Sequence, residues 1–310
     1  MNTLTAVPER PTLSDLARIV ELRTKIVSLS SLAIGTLWAA GQGAFDPLTF
    51  ALMLAASLCV DLATAGFNSY YDHRDGVDTV ETDVDRYKVL VHRRIDPRIA
   101  WRLSAGLFAL AMLLGLLIGL RTGWEVIGIG AVCMLIAYGY SGGPWPISRT
   151  PVGELFAGGT MGALLIALAA YVHTKALSAA LIWLGLPSTL LIAAILAANN
   201  ACDRIGDAAA GRRTLAIVCG PRGAVWVVEA LVAGGLLSAA LLSTSSILPG
   251  LTLLPLAAVG LLAYRTLRGM RDRGYGHVSK GANMGGISLI FLSYSLVVCV
   301  ALAYRLGAAG

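Results

Sequence analysis

Residues 179–207 read AALIWLGLPSTLLIAAILAANNACDRIGD. The run from Ala179 is mostly apolar for about 20 residues, the length that crosses a bilayer as a helix. It ends in Asn199, Asn200, Asp203 and Asp207 and continues through Gly211-Arg212-Arg213-Thr214-Leu215. Asn199, Asp203 and Asp207 are spaced four apart, so on a helix they line one face. Polar groups at a membrane edge are costly unless something binds them, which makes these residues functional candidates. Carboxylates beside an arginine pair suit Mg²⁺ and phosphate oxygens.

The rest of the chain has the same character. Of 310 residues, 56% are hydrophobic and 14% charged, and the mean hydropathy is +0.73. That composition is of an integral membrane protein and not of a soluble core. Nine apolar runs are long enough to be spans: 22–41, 47–70, 98–120, 123–140, 152–173, 178–201, 221–243, 247–264 and 284–304. They do not alternate in polarity as strands of a membrane β-barrel do. The expected fold is an all-α integral membrane protein of nine transmembrane helices. Residues 1–15 read as a polar tail, with Pro8, Pro11 and a helix cap at Ser14-Asp15, and residues 16–310 as one transmembrane domain. The five cysteines include no Cys-x-x-Cys pair and read as small buried hydrophobes.

Lys and Arg are distributed very unevenly. Of 24, 21 fall in the N-terminal segment and in the loops after the second, fourth, sixth and eighth spans; only Arg121, Lys175 and Arg305 fall opposite. The positive-inside rule places the N-terminus and those loops in the cytoplasm, in a multi-pass protein of the cell membrane. Topology does not explain the carboxylates mixed among the charges.

A second polar cluster lies on the same side. The second span ends Phe67-Asn68-Ser69-Tyr70-Tyr71-Asp72, followed by His73-Arg74-Asp75-Gly76-Val77-Asp78. Asn68 and Asp72 repeat the four-residue spacing of Asn199 and Asp203. The chain reads as two weakly similar halves, each supplying an Asn/Asp-rich helix end to one cavity. Facing carboxylate clusters would hold one or two Mg²⁺ ions bridged to a diphosphate, with Arg and Lys holding the remaining phosphate charge. A site open to lipid suits a substrate with a diphosphate head and an apolar tail.

Other features weigh less. Asp61, inside the second span, is expected to face the bundle interior and a polar partner or substrate, and Glu229 raises the same question. Glu154 opens the fifth span as a helix-start carboxylate or a cavity residue. Gly158, Gly159 and Gly162 read as close helix packing. The four histidines show no metal-ligand spacing, and there is no P-loop, dinucleotide fingerprint or nucleophile elbow. The basic loops lack the setting for nucleic-acid binding, and nothing calls for a protein partner. A cation transporter or lipid carrier would need acids on a path open to both sides, whereas these lie on one.

The motifs resemble those of the UbiA superfamily of intramembrane prenyltransferases. Asn68-xxx-Asp72-xxx-Gly76-x-Asp78 is similar to its first motif, and Asn199-Asn200-xx-Asp203-xxx-Asp207-xxx-Gly211-x-Arg213-Thr214-Leu215-Ala216 to its second. Tyr140-Ser-Gly-Gly-Pro144, Gly153-Glu154 and Arg23-x-Lys25 resemble the branch that prenylates 1,4-dihydroxy-2-naphthoate in menaquinone synthesis. Ser69 stands where many relatives carry Asp. The resemblance implies nine helices around a central cavity. It implies Mg²⁺ coordination by Asn68, Asp72, Asp203 and Asp207, with Asp78 from the end of the first motif. Asn199 and Asn200 would orient diphosphate or metal, and Arg213, Lys88, Arg94 and Lys25 would contact phosphate. The reaction implied is ionisation of an allylic prenyl diphosphate and capture of the cation by a small aromatic acceptor. Tyr70, Tyr71, Tyr138 and Tyr140 are candidates to stabilise that cation through their ring faces. The superfamily also contains terpene cyclases, which use no acceptor, and a specialised-metabolite aromatic prenyltransferase is a further alternative.

Overall fold

Apolar runs of this length satisfy their backbone polar groups only as helices when lipid surrounds them. The computed structural model describes residues 10–79, 88–93, 95–245 and 247–309, without the side chains of residues 23, 308 and 309. Among the described residues the chain is helical and has no strand. Short helix α1 (Leu13–Ile19) leads into α2 (Ile26–Gly41), α3 (Pro47–Arg74), short α4 (Val89–His92), α5 (Pro97–Thr122) and α6 (Trp124–Ser141). Helix α7 (Gly153–Gly159) runs through a π-helical turn (Thr160–Leu164) into α8 (Leu165–Thr174). Then follow α9 (Ala179–Ala209), α10 (Leu215–Thr244), α11 (Leu253–Arg273) and α12 (His277–Ala309).

Eight helical segments have the length and composition to cross a membrane, and α2 is a shorter apolar helix of 16 residues. The nine expected spans correspond to these nine. Large apolar side chains such as Leu120, Ile182, Leu237 and Leu254 are exposed outside the cavity, where lipid would cover them.

The boundaries differ from expectation for identifiable reasons. Helix α2 starts four residues late, because Glu21 adopts φ 49° and Leu22–Thr24 form a 3₁₀ turn. Helix α9 runs eight residues beyond the expected end and α12 begins seven residues early. Their polar turns face a cavity, so polarity there does not end the helix. Helix α10 extends back to Leu215 through a kink at Gly220-Pro221. The stretch expected to be tail already contains the start of α1. Its cap is Thr12, in a capping box with Asp15, and not Ser14-Asp15. Asp15 is fully buried and paired with Arg93 at 2.7 Å.

Two packing groups frame the interior. Helix α3 runs along α5 and α6, while α9 packs on α7 and α10, and α2 on α8 and α12. The main core joins Ile34, Leu184, Leu191, Val228, Met270 and Tyr294. Between the groups lies a cavity of 2280 Å³. One close approach sets the cavity's back wall: a Cβ on Gly162 would sit 2.6 Å from the Thr189 backbone nitrogen, and one on Gly158 would strike the Thr189 carbonyl oxygen. Gly159 has open space instead, so the expected packing role falls on Gly158 and Gly162 alone.

This contrast is testable by thermal unfolding in detergent. Gly158→Ala should destabilise by about 1–3 kcal/mol through overpacking. Gly159→Ala should leave the midpoint unchanged or raise it, since alanine is the better helix former.

Candidate active site

The cavity's polar end is built by the C-termini of α3 and α9. Both helices end in the same way. Val77 N–H donates to the Asp72 carbonyl (2.9 Å) and Gly76 N–H to that of His73 (3.3 Å). Arg212 N–H donates to the Asp207 carbonyl (2.9 Å) and Gly211 N–H to that of Ala208 (3.1 Å). Gly76 and Gly211 have φ of 72° and 75°, the left-handed conformation this cap requires. The structural register therefore pairs Asn68-Asp72-Gly76 with Asp203-Asp207-Gly211. The expected match of Asn68 and Asp72 to Asn199 and Asp203 is four residues out.

A carboxylate in the last turn of a helix faces the negative end of its dipole, so each end needs a cation. Arg212 serves both. Its guanidinium is hydrogen-bonded to Asp72 and lies 3.3 Å from Asp207. Burial opposes its charge, but Asp72 and Asp207 outweigh this and hold it above its usual range. Lys88 pairs with Asp78 at 2.8 Å. Burial would lower its ammonium, yet Asp78, Glu21 and Asp72 together keep it raised. Lys280 donates to Asp203 at 2.6 Å, and His277 stands 3.7 Å from the same carboxylate.

The amides are oriented by their neighbours. Asn68 accepts from Ser141 Oγ (2.9 Å) and donates to Asp72 (2.9 Å). Asn199 donates to Asp203 (3.2 Å), and Asn200 to Glu154 (2.9 Å), which is buried behind the cavity wall. Asn68, Asp72, Asp78, Lys88, Asn199, Asn200, Asp203 and Asp207 all line the cavity.

Several expected residues lie elsewhere. Arg213 is exposed and outside the lining; its backbone N–H binds the Arg149 carbonyl, and Arg212 occupies the cavity in its stead. Lys25 lines the cavity but is bound to Asp61 at 2.8 Å. Asp61 lies eleven residues before Asp72 on α3, about 16 Å along the helix, so Lys25 is far from the acidic ends. Tyr138 and Tyr140 line the cavity, whereas Tyr70 and Tyr71 do not. Tyr71 is buried and its hydroxyl bonds that of Tyr138 (2.7 Å); Tyr70 packs beside it toward Trp101 and Arg102. Asp75, from the same polar stretch, is held by Arg149 (2.5 Å) and Arg74 (2.7 Å) outside the lining. Glu229 is paired with Arg271. Arg94 lies outside the described residues.

Arg212, Lys280 and His277 are the site residues that motif reading missed. Arg212 follows Gly211 directly, at the position where Val77 follows Gly76, and both line the cavity. His277, Lys280, Gly281, Met284, Gly285 and Ser288 form a helical stripe of small and polar residues along the cavity. That stripe is visible in the sequence once α12 is known to begin at His277.

The donors suit a hard divalent cation. Asp203 Oδ1 and Asp207 Oδ2 are buried and accept no hydrogen bond among the described residues. The oxygens are carboxylate and amide, the ligand set of Mg²⁺. They are divided between two helix ends, with no three acid, His or Cys side chains converging on one point among the described residues.

A family model described as "UbiA prenyltransferase family" matches residues 28–280. The chain belongs to the UbiA family. Over 207 residues it is 36% identical to the 1,4-dihydroxy-2-naphthoate octaprenyltransferase of Bacillus subtilis, covering 67% of this chain and 66% of that one, just under two thirds. Over 243 residues it is 31% identical to the Mycobacterium tuberculosis protein of the same name, covering 75% and 82%. A solved UbiA homolog from Archaeoglobus fulgidus bound to GPP and Mg²⁺ shares the fold, with TM-score 0.65, 17% identity and coverage of 92% and 99%. This UbiA protein is thus a multi-pass, all-helical member of a family of prenyltransferase enzymes.

Arg212 and Arg213 should separate in pyrophosphate binding, measured by calorimetry with Mg²⁺ present. Arg212→Gln should weaken binding by about tenfold or more, the loss of one charge-assisted contact. Arg213→Gln should change it by less than about twofold, as expected for an exposed side chain.

Proposed function

We propose that this UbiA protein transfers a prenyl group from an allylic prenyl diphosphate to an aromatic acceptor. The names of the two bacterial relatives point to 1,4-dihydroxy-2-naphthoate as that acceptor. The observation that carries the reading is a pair of acidic helix ends, tied by Arg212, at the head of a cavity whose remaining wall is mostly apolar. Such a cavity accommodates a charged head and a long hydrocarbon tail together.

Each side chain has a role set by its position. Asn68, Asp72, Asp203 and Asp207, with Asp78 beside Lys88, would hold Mg²⁺. When bound, Mg²⁺ draws negative charge from the departing pyrophosphate and so favours ionisation of the allylic C–O bond. Arg212, Lys88 and Lys280 already lie among those carboxylates and supply donors to phosphate oxygens. Asn199 and Asn200 orient the head group, Asn200 being held in turn by Glu154. Apolar residues such as Met161, Leu164 and Ile192 keep water from the allylic carbon. Tyr138 and Tyr140 border the same space, where their rings would stabilise positive charge. Hydrogen bonding from Tyr71 fixes the Tyr138 ring. The excess of Lys and Arg on this side supports a cytoplasmic head-group end, by the positive-inside rule.

Purified protein given geranyl diphosphate, 1,4-dihydroxy-2-naphthoate and Mg²⁺ should release pyrophosphate and form a prenylated product by mass spectrometry. Chelation should stop the reaction, and added Mg²⁺ should restore it. Asp72→Ala and Asp203→Ala should each lower turnover by about a hundredfold or more, the scale of losing one electrostatic stabiliser. Undiminished release in both variants would show the site is misassigned. A cyclised hydrocarbon formed without acceptor would replace transfer with cyclisation.

A further inference from the structure

One polar group in the cavity has no part in holding the diphosphate. Lys25 Nζ donates to Asp61 Oδ1 at 2.8 Å and to the Asp61 carbonyl at 3.2 Å, while Ser28 Oγ donates to Asp61 Oδ2 at 2.6 Å. All three side chains line the cavity. Lys25 and Ser28 are buried, and the Asp61 side chain keeps 14% of its surface open. An ion pair at membrane depth is expensive, and a merely structural tie between α2 and α3 could be made by apolar packing without that cost. Asp61 also belongs to the stripe Asp61, Thr64, Asn68 and Asp72, at spacings of three, four and four along one face of α3. Asn68 and Asp72 stand at its head-group end and Asp61 about three turns below Asp72, on the side toward which the carbon chain of a head-bound diphosphate would run. A prenyl tail has nothing to offer a carboxylate. A hydroxylated aromatic ring does, and it must lie against the allylic carbon to react.

We propose that Asp61, held by Lys25 and Ser28, is the polar anchor for a ring hydroxyl of the acceptor. This rests on the transfer reaction proposed above. The carboxylate accepts a hydrogen bond from the hydroxyl, Lys25 and Ser28 hold it aimed, and the ring is thereby presented edge-on to the allylic carbon. The chemical class recognised is a hydroxyarene, and Asp61 is a binding residue for it, distinct from the diphosphate ligands.

Steady-state kinetics on the full-length protein decide the matter, with geranyl diphosphate as donor and 1,4-dihydroxy-2-naphthoate as acceptor. Asp61→Asn should raise the acceptor KM by about tenfold, one charge-assisted hydrogen bond, and shift the donor KM by less than about twofold. Equilibrium binding gives a second reading. Wild type should bind the dihydroxynaphthoate more tightly than 2-naphthoate, which lacks both hydroxyls, and Asp61→Asn should erase that preference. Because either single change leaves a buried charge unpaired, the double variant Lys25→Met/Asp61→Leu serves as control for folding. It should fold and show the same lost preference. Equal changes in both KM values, or a hydroxyl preference that survives in the double variant, would overturn the assignment. A wild-type protein that releases no pyrophosphate from any prenyl diphosphate would instead overturn the transfer reading itself.

Discussion

Everything at the polar end of this protein depends on one guanidinium shared by two helix termini. Asp72 and Asp207 each close a long membrane helix, where the backbone dipole and the low dielectric both disfavour a negative charge. Arg212 relieves both at once, with only 10% of its side chain exposed. Breaking one side of an ion pair this enclosed costs about 3–5 kcal/mol in other proteins, because the partner is left charged and alone. The bond is also a fastening across the molecule. Helix α3 belongs to one packing group and α9 to the other, and Arg212 joins their ends over the mouth of the cavity. The same strip of charge that favours a metal–diphosphate ligand thus holds the empty scaffold in register.

The fold was largely legible because a bilayer restricts the choices so severely. Apolar length alone located nine helices, and the ends were misread only where another cause acted. Glu21 unwinds the start of α2, and the polar turns of α9 and α12 stay helical because they border a cavity and not bulk water. The convergence of Asn68, Asp72, Asp203 and Asp207 on one cavity was legible because their residue types and spacing are specific. The site was not legible where a one-residue choice depends on a turn. Arg212 and Arg213 are equivalent by composition. The cap at Gly211 turns the first into the cavity and leaves the second outside. Likewise Tyr70 and Tyr71 differ from Tyr138 and Tyr140 only in helix face. Lys25 looked like a phosphate ligand because its partner Asp61, 36 residues away, was invisible to local pattern.

The cavity wall carries a gradient that one helix face makes plain. From Asp72 through Asn68 and Thr64 to Asp61, α3 shows polar groups at nearly every turn to the cavity, while its neighbours there are methionine, leucine and isoleucine. The aromatic group around Phe67, Tyr71, Phe108 and Tyr138 fixes the ring of Tyr138 edge-on to Phe67. On the proposed reaction, a surface arranged in this way would separate the charged, aromatic and hydrocarbon parts of its ligands by depth.

The two capped helix ends share their turn and differ in the residue after the glycine. Val77 follows Gly76 where Arg212 follows Gly211. Two identical ends would form a cradle with twofold equivalence, and a head group with two phosphates would lie in it equally well either way round. Only one of those orientations directs the carbon chain down the cavity. Arg212 comes from one end alone, and Val77 stands at the matching position of the other, so the two halves are not equivalent and that asymmetry would give the cradle a direction.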